Sequence, residues 1–465
     1  MENDMSIRKP RIAFIPVAMK LFWQLYPDLE PRCAFQQDVV VSRLREKCHV
    51  TELPLTGSEE EAEDTVNLLR RESFDLMVIW ENGYVASAIP FKIIKEFAKA
   101  PLVLLITQRD TQAPLDMDYA RYMESTAATS AMELGGALRR TGIPYSTVAG
   151  HMEEKAVYDK VYSAALAAMV FSELKSLKVG SIGYGYPGML DICVDDFEVA
   201  KLGPKVQKIT LEEVRDALSR VTDEQIRKFK DFTASKFNME RIKEDDFVRA
   251  AKTAIALEEI VTKNGMSALC VHDYDFLSTV TGAVSDFALS VLENKYLLAT
   301  GVEGDMANCL GAFIGSRLSG SSCMFVDWTM FDEKLNAVFL QHNGKADPDI
   351  VDNPCLSPSA EPFGGVVGDG VVVEASGKSG PVTMISMIYR DGFKIFAAEG
   401  RALPQPARPC RLNQMTVELA TPVKAFLENA CNLGVGHHLN VARGHLAKEI
   451  KTLANLLKIE FTELI

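Results

Sequence analysis

The sequence predicts an α/β protein: two doubly wound parallel-sheet α/β domains, then an antiparallel β-barrel-like domain with a terminal helix. Three observations predict it. Short apolar runs alternate with helical patterns through the first 175 residues, and the alternation restarts at Lys178. Beyond residue 362 the hydrophobic period drops to two. At 465 residues the chain is also too long for a single core. The expected domains are 1–175, 176–350 and 351–465.

The elements follow in order. Arg11–Val17, Val50–Pro54, Leu76–Ile79 and Pro101–Ile106 are strand-like apolar runs. Between them Ala34–Lys47 carries Val39, Val40 and Leu44 at helical spacing, and Glu59–Arg71 is a helix with an acidic start. Pro90–Ala98 puts its proline at a first helical position. Asp159–Ser176 is a long helix closing the first domain. In the second, Lys178–Ile182, Lys205–Ile209, Ala268–Val271 and Leu297–Thr300 are strands; Leu211–Val221, Phe247–Asn264 and Phe287–Asn294 are helices. Strands separated by helices make a parallel sheet, with ligands at its carboxyl edge. Pro348–Pro362 has the Pro, Asp and Ser content of a linker. Gly365–Glu374, Val382–Arg390 and Phe393–Ala398 alternate between Gly-containing turns, and Val441–Leu457 reads as a final amphipathic helix.

Composition narrows the function. Sixty-three acidic against fifty basic residues give a net charge of −13, which argues against nucleic acid or an anionic membrane as partner. Met1–Pro10 lacks a leader's apolar run, and no window reaches the ~18 apolar residues of a membrane span. Nine scattered cysteines without a C-x₂-C pair fit a reduced, cytoplasmic protein.

Three stretches carry metal-binding chemistry. Gly301-Val302-Glu303-Gly304-Asp305 offers a carboxylate on a glycine-flanked turn after a strand. Phe325-Val326-Asp327-Trp328 offers a second acid after an apolar run, and Gly436-His437-His438 a histidine pair. Oxygen and imidazole donors together suit Mn²⁺, with Mg²⁺ or Co²⁺ as alternatives, rather than a structural zinc. Neighbours in an extended segment face opposite ways, so one of His437 and His438 ligates and the other contacts substrate or orients a carboxylate. Asp305 is either a supporting acid or the cap of a following helix. His342, in Leu340-Gln341-His342-Asn343-Gly344, is a further ligand or a partner of substrate oxygens. Gly183-Tyr184-Gly185-Tyr186-Pro187-Gly188 formally matches a dinucleotide-binding turn, but no acid ends a second strand at the required distance.

Together these stretches resemble the fucose isomerase and arabinose isomerase superfamily. The resemblance rests on Glu303-Gly304-Asp305, on Leu318-Ser319-Gly320 through Asp327, on His342-Asn343-Gly344 with Pro348, and on the late Gly-x-x-His segment. Lys178–Asp196 resembles the family's strand, turn and Asp-rich continuation, and Ala149-Gly150-His151 the end of its first domain. Ser125-Thr126-Ala127-Ala128 lacks a histidine that arabinose isomerases carry. The resemblance implies a ketol isomerase working through an ene-diol, with Glu303 and Asp327 as ligands and acid–base pair. It further implies His438, His437 and His342 at the cation, and Met189, Trp328, His342 and Trp80 against the sugar. It also implies a homo-oligomer, trimeric or hexameric, with the active site near a subunit interface. A non-catalytic sugar-sensing protein and a nicotinamide dehydrogenase are the competing readings.

Overall fold

A computed structural model describes residues 7–359, 362–363, 366–367 and 370–465. The chain divides into two compact units, 8–172 and 173–465. The segments 176–350 and 351–465, expected as separate domains, lie within the second unit. Among the described residues no helix is long and apolar enough to cross a membrane.

The first unit is a five-stranded parallel sheet: β1 (Arg11–Val17), β2 (His49–Glu52), β3 (Leu76–Glu81), β4 (Leu102–Gln108) and β5 (Ser146–His151), in the order β2-β1-β3-β4-β5. Side chains alternate between two cores. Phe14, Val78, Trp80 and Leu105 pack with Val40 and Leu44 of α1 (Leu29–Arg45) and Val157 and Val161 of α2 (Lys155–Leu174). Ala13, Ile15, Met77, Ile79 and Leu104 pack with the helices Glu59–Leu69, Ala88–Glu96 and Ala127–Thr141 on the other face. The central strands therefore read as continuous apolar runs, each buried Val, Leu or Ile contributing about 1.5–3 kcal/mol. Trp80 belongs to this core. It is fully buried, stacks on Phe14 at 5.6 Å and donates its Nε1–H to Thr107 Oγ1 at 2.8 Å. The tryptophan expected against the sugar is a packing residue with its one polar atom satisfied.

The second unit starts with a four-stranded parallel sheet, β6 (Lys178–Ile182), β7 (Lys205–Ile209), β8 (Ala268–Val271) and β9 (Ala299–Gly301), in the order β7-β6-β8-β9. Next come β10 (Met324–Asp332), β11 (Ala337–His342), β12 (Val351–Pro358), β13 (Val371–Gly377), β14 (Gly380–Tyr389), β15 (Phe393–Ala402), β16 (Asn413–Glu418), β17 (His438–Arg443) and β18 (Glu460–Glu463), which form one nine-stranded sheet. Six of its strands close a circuit of antiparallel pairs, β10-β11-β16-β15-β14-β17 and back to β10. The barrel is thus real, but the sheet is mixed: β13 pairs with β16, and β15 with β18, in parallel.

One core, running from Ile182 and Leu269 to Phe325, Val382 and Leu439, serves both the parallel sheet and the barrel. That shared core is why the two segments form one unit. α3 (Met306–Ser319) packs against β9 on one side and against β14 and β17 on the other. It is buried almost all round, so it carries no amphipathic stripe that would reveal it in the sequence. Two expected elements are corrected. Residues 351–358 of the proposed linker are β12, paired with β13. The expected final helix is β17 followed by a shorter helix, Ala447–Leu457. Part of the expected strand Gly365–Glu374 and the end of the expected linker lie outside the described residues.

Candidate metal centre

The turn between β9 and α3 is four residues long, Val302–Asp305, and it presents Glu303. Glu303 and Gly304 both have left-handed backbone, φ +56° and +72°. For glutamate this conformation costs on the order of 1–2 kcal/mol, so the surroundings must impose it. They do so through three hydrogen bonds. Tyr186 N–H donates to the Glu303 carbonyl at 2.8 Å, Gly304 N–H to the Val271 carbonyl at 2.8 Å, and Glu303 N–H to Asp273 Oδ1 at 3.2 Å. Gly304 is obligatory, because a Cβ there would stand 2.1 Å from the carbonyl oxygen of Tyr184. The result is a buried carboxylate fixed at the carboxyl edge of the parallel sheet.

The barrel supplies the rest. β10 and β17 pair so that Asp327 lies directly opposite His438, which places their side chains on one face of the sheet. His342 ends β11 on the other side of β10. The distances follow: His438 Nε2 is 3.0 Å from Glu303 Oε2 and 3.7 Å from Asp327 Oδ1. His342 Nε2 is 4.0 Å from Glu303 Oε1 and 4.0 Å from Asp327 Oδ2. Yet Glu303 Oε2, Asp327 Oδ1 and His438 Nε2 are buried without any hydrogen-bond partner.

Buried polar atoms without partners are costly, and here three of them converge. Around a six-coordinate divalent ion with bonds near 2.1 Å, adjacent donors stand roughly 3.0 Å apart and opposite donors roughly 4.2 Å. All four distances fall within that range. Carboxylates and imidazoles are also the donor types such an ion takes, so these residues fit a divalent cation.

His438 is oriented from behind. Its Nδ1–H donates to Asp305 Oδ2 at 2.9 Å, so Nε2 is the nitrogen turned to the centre. The same carboxylate caps α3, Oδ1 accepting from Asn308 N–H at 2.9 Å. Asp305 therefore fills both roles foreseen for it. Burial opposes the charged imidazolium, but Asp305 and Glu303 outweigh it and raise His438 to about 10. This cluster stabilises positive charge at its middle. Asp327 goes the other way: burial raises it to about 6, against the pull of His438 and His437. Its side chain keeps 40% of its surface open although Oδ1 is covered. Burial, with help from His438 and Lys345, holds His342 well below the ordinary imidazole range, neutral and able to ligate.

The expectation that His437 and His438 face opposite ways is not met: His437 lies in a bend just before β17, and the two rings lie 3.8 Å apart between centroids. His438 is buried, and His437 keeps 39% of its side chain exposed. A nitrogen of His437 lies within 4.8 Å of donor atoms of Glu303 and His438. Asp191 binds His437; the hydrogen bond, working against burial, holds that carboxyl well below the usual range. Sequence reasoning missed Asp191, and no local pattern marks an acid 246 residues from its partner. Trp328 is partly buried beside the histidine pair and donates its Nε1–H to the Gly436 carbonyl at 3.1 Å. Met189 follows the Gly183–Gly188 turn and is partly exposed. No helix begins on that turn; the next segment is a single 3₁₀ turn, Leu190–Ile192. A pyrophosphate there would lack the helix amides that dinucleotide binding uses.

No protein-family model matches the chain. A sulfoquinovose isomerase of Clostridium sp. (strain MSTE9) is 26% identical over 359 residues, 71% of this chain and 75% of that one. A sulfoquinovose isomerase of Priestia megaterium is 20% identical over 458 residues, 97% of this chain and 98% of the other. An L-arabinose isomerase of Bifidobacterium adolescentis is 24% identical over 320 residues, 65% and 62% of the two chains. These similarities are consistent with a divergent member of the fucose and arabinose isomerase superfamily.

Proposed function

We propose that this chain is a metal-dependent aldose–ketose isomerase acting through an ene-diol, with sulfoquinovose the first sugar to assay. The relatives named as sulfoquinovose and arabinose isomerases support the reaction class. The observation that carries the metal is the convergence of Glu303, Asp327, His342 and His438, with three buried donor atoms unpartnered.

In this reading Glu303, Asp327, His342 and His438 hold Mn²⁺, with Mg²⁺ or Co²⁺ as alternatives. When bound, the cation supplies electrostatic stabilisation of the negative charge that develops on the substrate oxygens. Glu303 and Asp327 form the acid–base pair. One carboxylate removes the proton from C2 as the C1–C2 double bond forms and O1 takes up a proton; the O2 hydroxyl then gives up its proton as the carbonyl appears at C2 and a proton returns to C1. Asp327 keeps 40% of its side chain open, as a group that exchanges a proton with substrate requires. Glu303 is locked by its turn, which keeps its carboxylate in place between the two half-reactions. Trp328, on the barrel, and Met189, in the loop after β6, are the residues this reading assigns to sugar contact. The free cysteines support a cytoplasmic protein, and the family resemblance supports a homo-oligomer, whose order light scattering would read.

Lys20, Arg32 and Arg109, basic residues of a kind that could meet an anionic sugar, all carry acid partners within the first unit. Lys20 pairs with Glu61, while Arg32 and Arg109 both approach Glu124, at 3.6 and 3.1 Å. The test is a panel of aldoses, sulfoquinovose and arabinose included, assayed with Mn²⁺ in D₂O. The expected outcome is ketose formation with deuterium at C1, abolished by chelator and restored by Mn²⁺. Chelator-resistant turnover would remove the cation from the mechanism, and no turnover of any aldose would remove the reaction.

A further inference from the structure

We propose that Asp191 is a positioning residue that fixes the tautomer of His437 so that its Nε2 lone pair accepts a hydrogen bond from a substrate hydroxyl. The inference rests on the isomerase reading for the identity of that hydroxyl, and on geometry for the rest. Asp191 Oδ2 accepts twice from His437, from the backbone N–H at 3.0 Å and from Nδ1 at 2.7 Å. A carboxylate at Nδ1 requires the proton there, so in the neutral ring Nε2 is an acceptor only.

His438 next door has the same arrangement, with Asp305 behind Nδ1 and Nε2 turned inward. The two rings lie against each other at 3.8 Å between centroids. What separates them is depth. His438 is buried between Glu303 and Asp327, whereas His437 has Asp191 as its one described ion-pair partner and keeps 39% of its side chain exposed. The inner ring is therefore the cation's neighbour and the outer ring borders the space a sugar would enter.

Asp191 is well placed to hold this position. The loop that carries it also braces the Glu303 turn, through Tyr186 N–H to the Glu303 carbonyl and the close approach of Tyr184 to Gly304. Glu303 and His437 are thus registered by one segment.

The test uses the full chain labelled with ¹⁵N-histidine, His437 being assigned from the His437→Ala variant. Long-range ¹H–¹⁵N spectra read the tautomer without substrate. The proposal expects the proton on Nδ1 in the wild type and a mixed population in Asp191→Ala. A proton on Nε2 in the wild type would overturn it. Kinetics give the second readout. Asp191→Ala, which removes the acceptor altogether, should raise KM about tenfold, the loss of about one hydrogen bond, with kcat and Mn²⁺ affinity within about threefold of wild type. Unchanged KM overturns the proposal, as does a fall in Mn²⁺ affinity equal to the fall in kcat/KM, which would make His437 a metal ligand. Because the tautomer is read without sugar, a wild type that turns over no aldose counts against the isomerase reading alone.

Discussion

Glu81 and Glu303 both lie at the carboxyl end of a strand in one of the two parallel sheets, and their chemistry diverges. Glu81 ends β3 in the first unit, and Glu303 follows β9 in the second. Both are buried, and each keeps one carboxylate oxygen without a hydrogen bond. Glu81 accepts from Ser130 Oγ at 2.8 Å, and burial, with like charge from Glu133, pushes it up to about 8. It is held as a neutral acid. Glu303 instead faces His438 at 3.0 Å and His342 at 4.0 Å, with Asp327 beyond. The sheet edge alone delivers a buried carboxylate; the barrel's imidazoles turn one such carboxylate into part of a charge-binding site.

By that contrast, replacing the two carboxyls with amides has unlike effects. Glu303→Gln should lower turnover by about 10²–10⁴-fold, the range for an acid–base group, while circular dichroism remains that of the wild type. Turnover within threefold of wild type would break the assignment. Asp305→Asn keeps a side chain of the same shape but weakens the brace behind His438. Cation affinity should fall about 10–100-fold, measured by chelator competition, and unchanged affinity would show that Asp305 serves only as a helix cap.

Backbone sharpens the comparison further. Gly304→Ala must place a methyl group in left-handed conformation, costing about 1–2 kcal/mol, and against the Tyr184 carbonyl besides. Denaturant unfolding should register at least that loss, and wild-type stability would mean that the turn is not held as described.

The smallest effect belongs to Glu81. Its folded pKa, about 8, lies above the ordinary carboxyl value of 4.5, so the folded state holds the extra proton between those values. Its contribution is fully present below pH 4.5, declines as pH rises, and is lost above about pH 8. Glu81→Gln should remove that decline and raise the midpoint of the first unit at pH 8 by at least about 2–4 °C, the shift of one kcal/mol at this size. A steeper decline in the variant would contradict the sign.

Much of the candidate site was legible because its acids and imidazoles lie in short motifs. Glu303, Asp305, Asp327 and His438 each sit at the end of an apolar run or in a glycine turn, where a strand's carboxyl end is recognisable. Their convergence was not legible: it depends on the register that sets Asp327 opposite His438. Asp191 was hidden because its partner is 246 residues away. Trp80 misled because an aromatic residue at a strand end reads the same in sequence whether it faces a ligand or the core. The buried helix α3 had no stripe to find. β12 was masked by Pro, Asp and Ser, which an irregular sheet margin tolerates.

The account depends on a divalent cation held by Glu303 together with the barrel's imidazoles. The most direct measurement is a titration of chelator-treated protein with Mn²⁺, following free Mn²⁺ by electron paramagnetic resonance. The account predicts one saturable site per chain in the wild type and its loss in both Glu303→Gln and His438→Ala. Absence of a saturable site in the wild type, or undiminished binding in both variants, would contradict it.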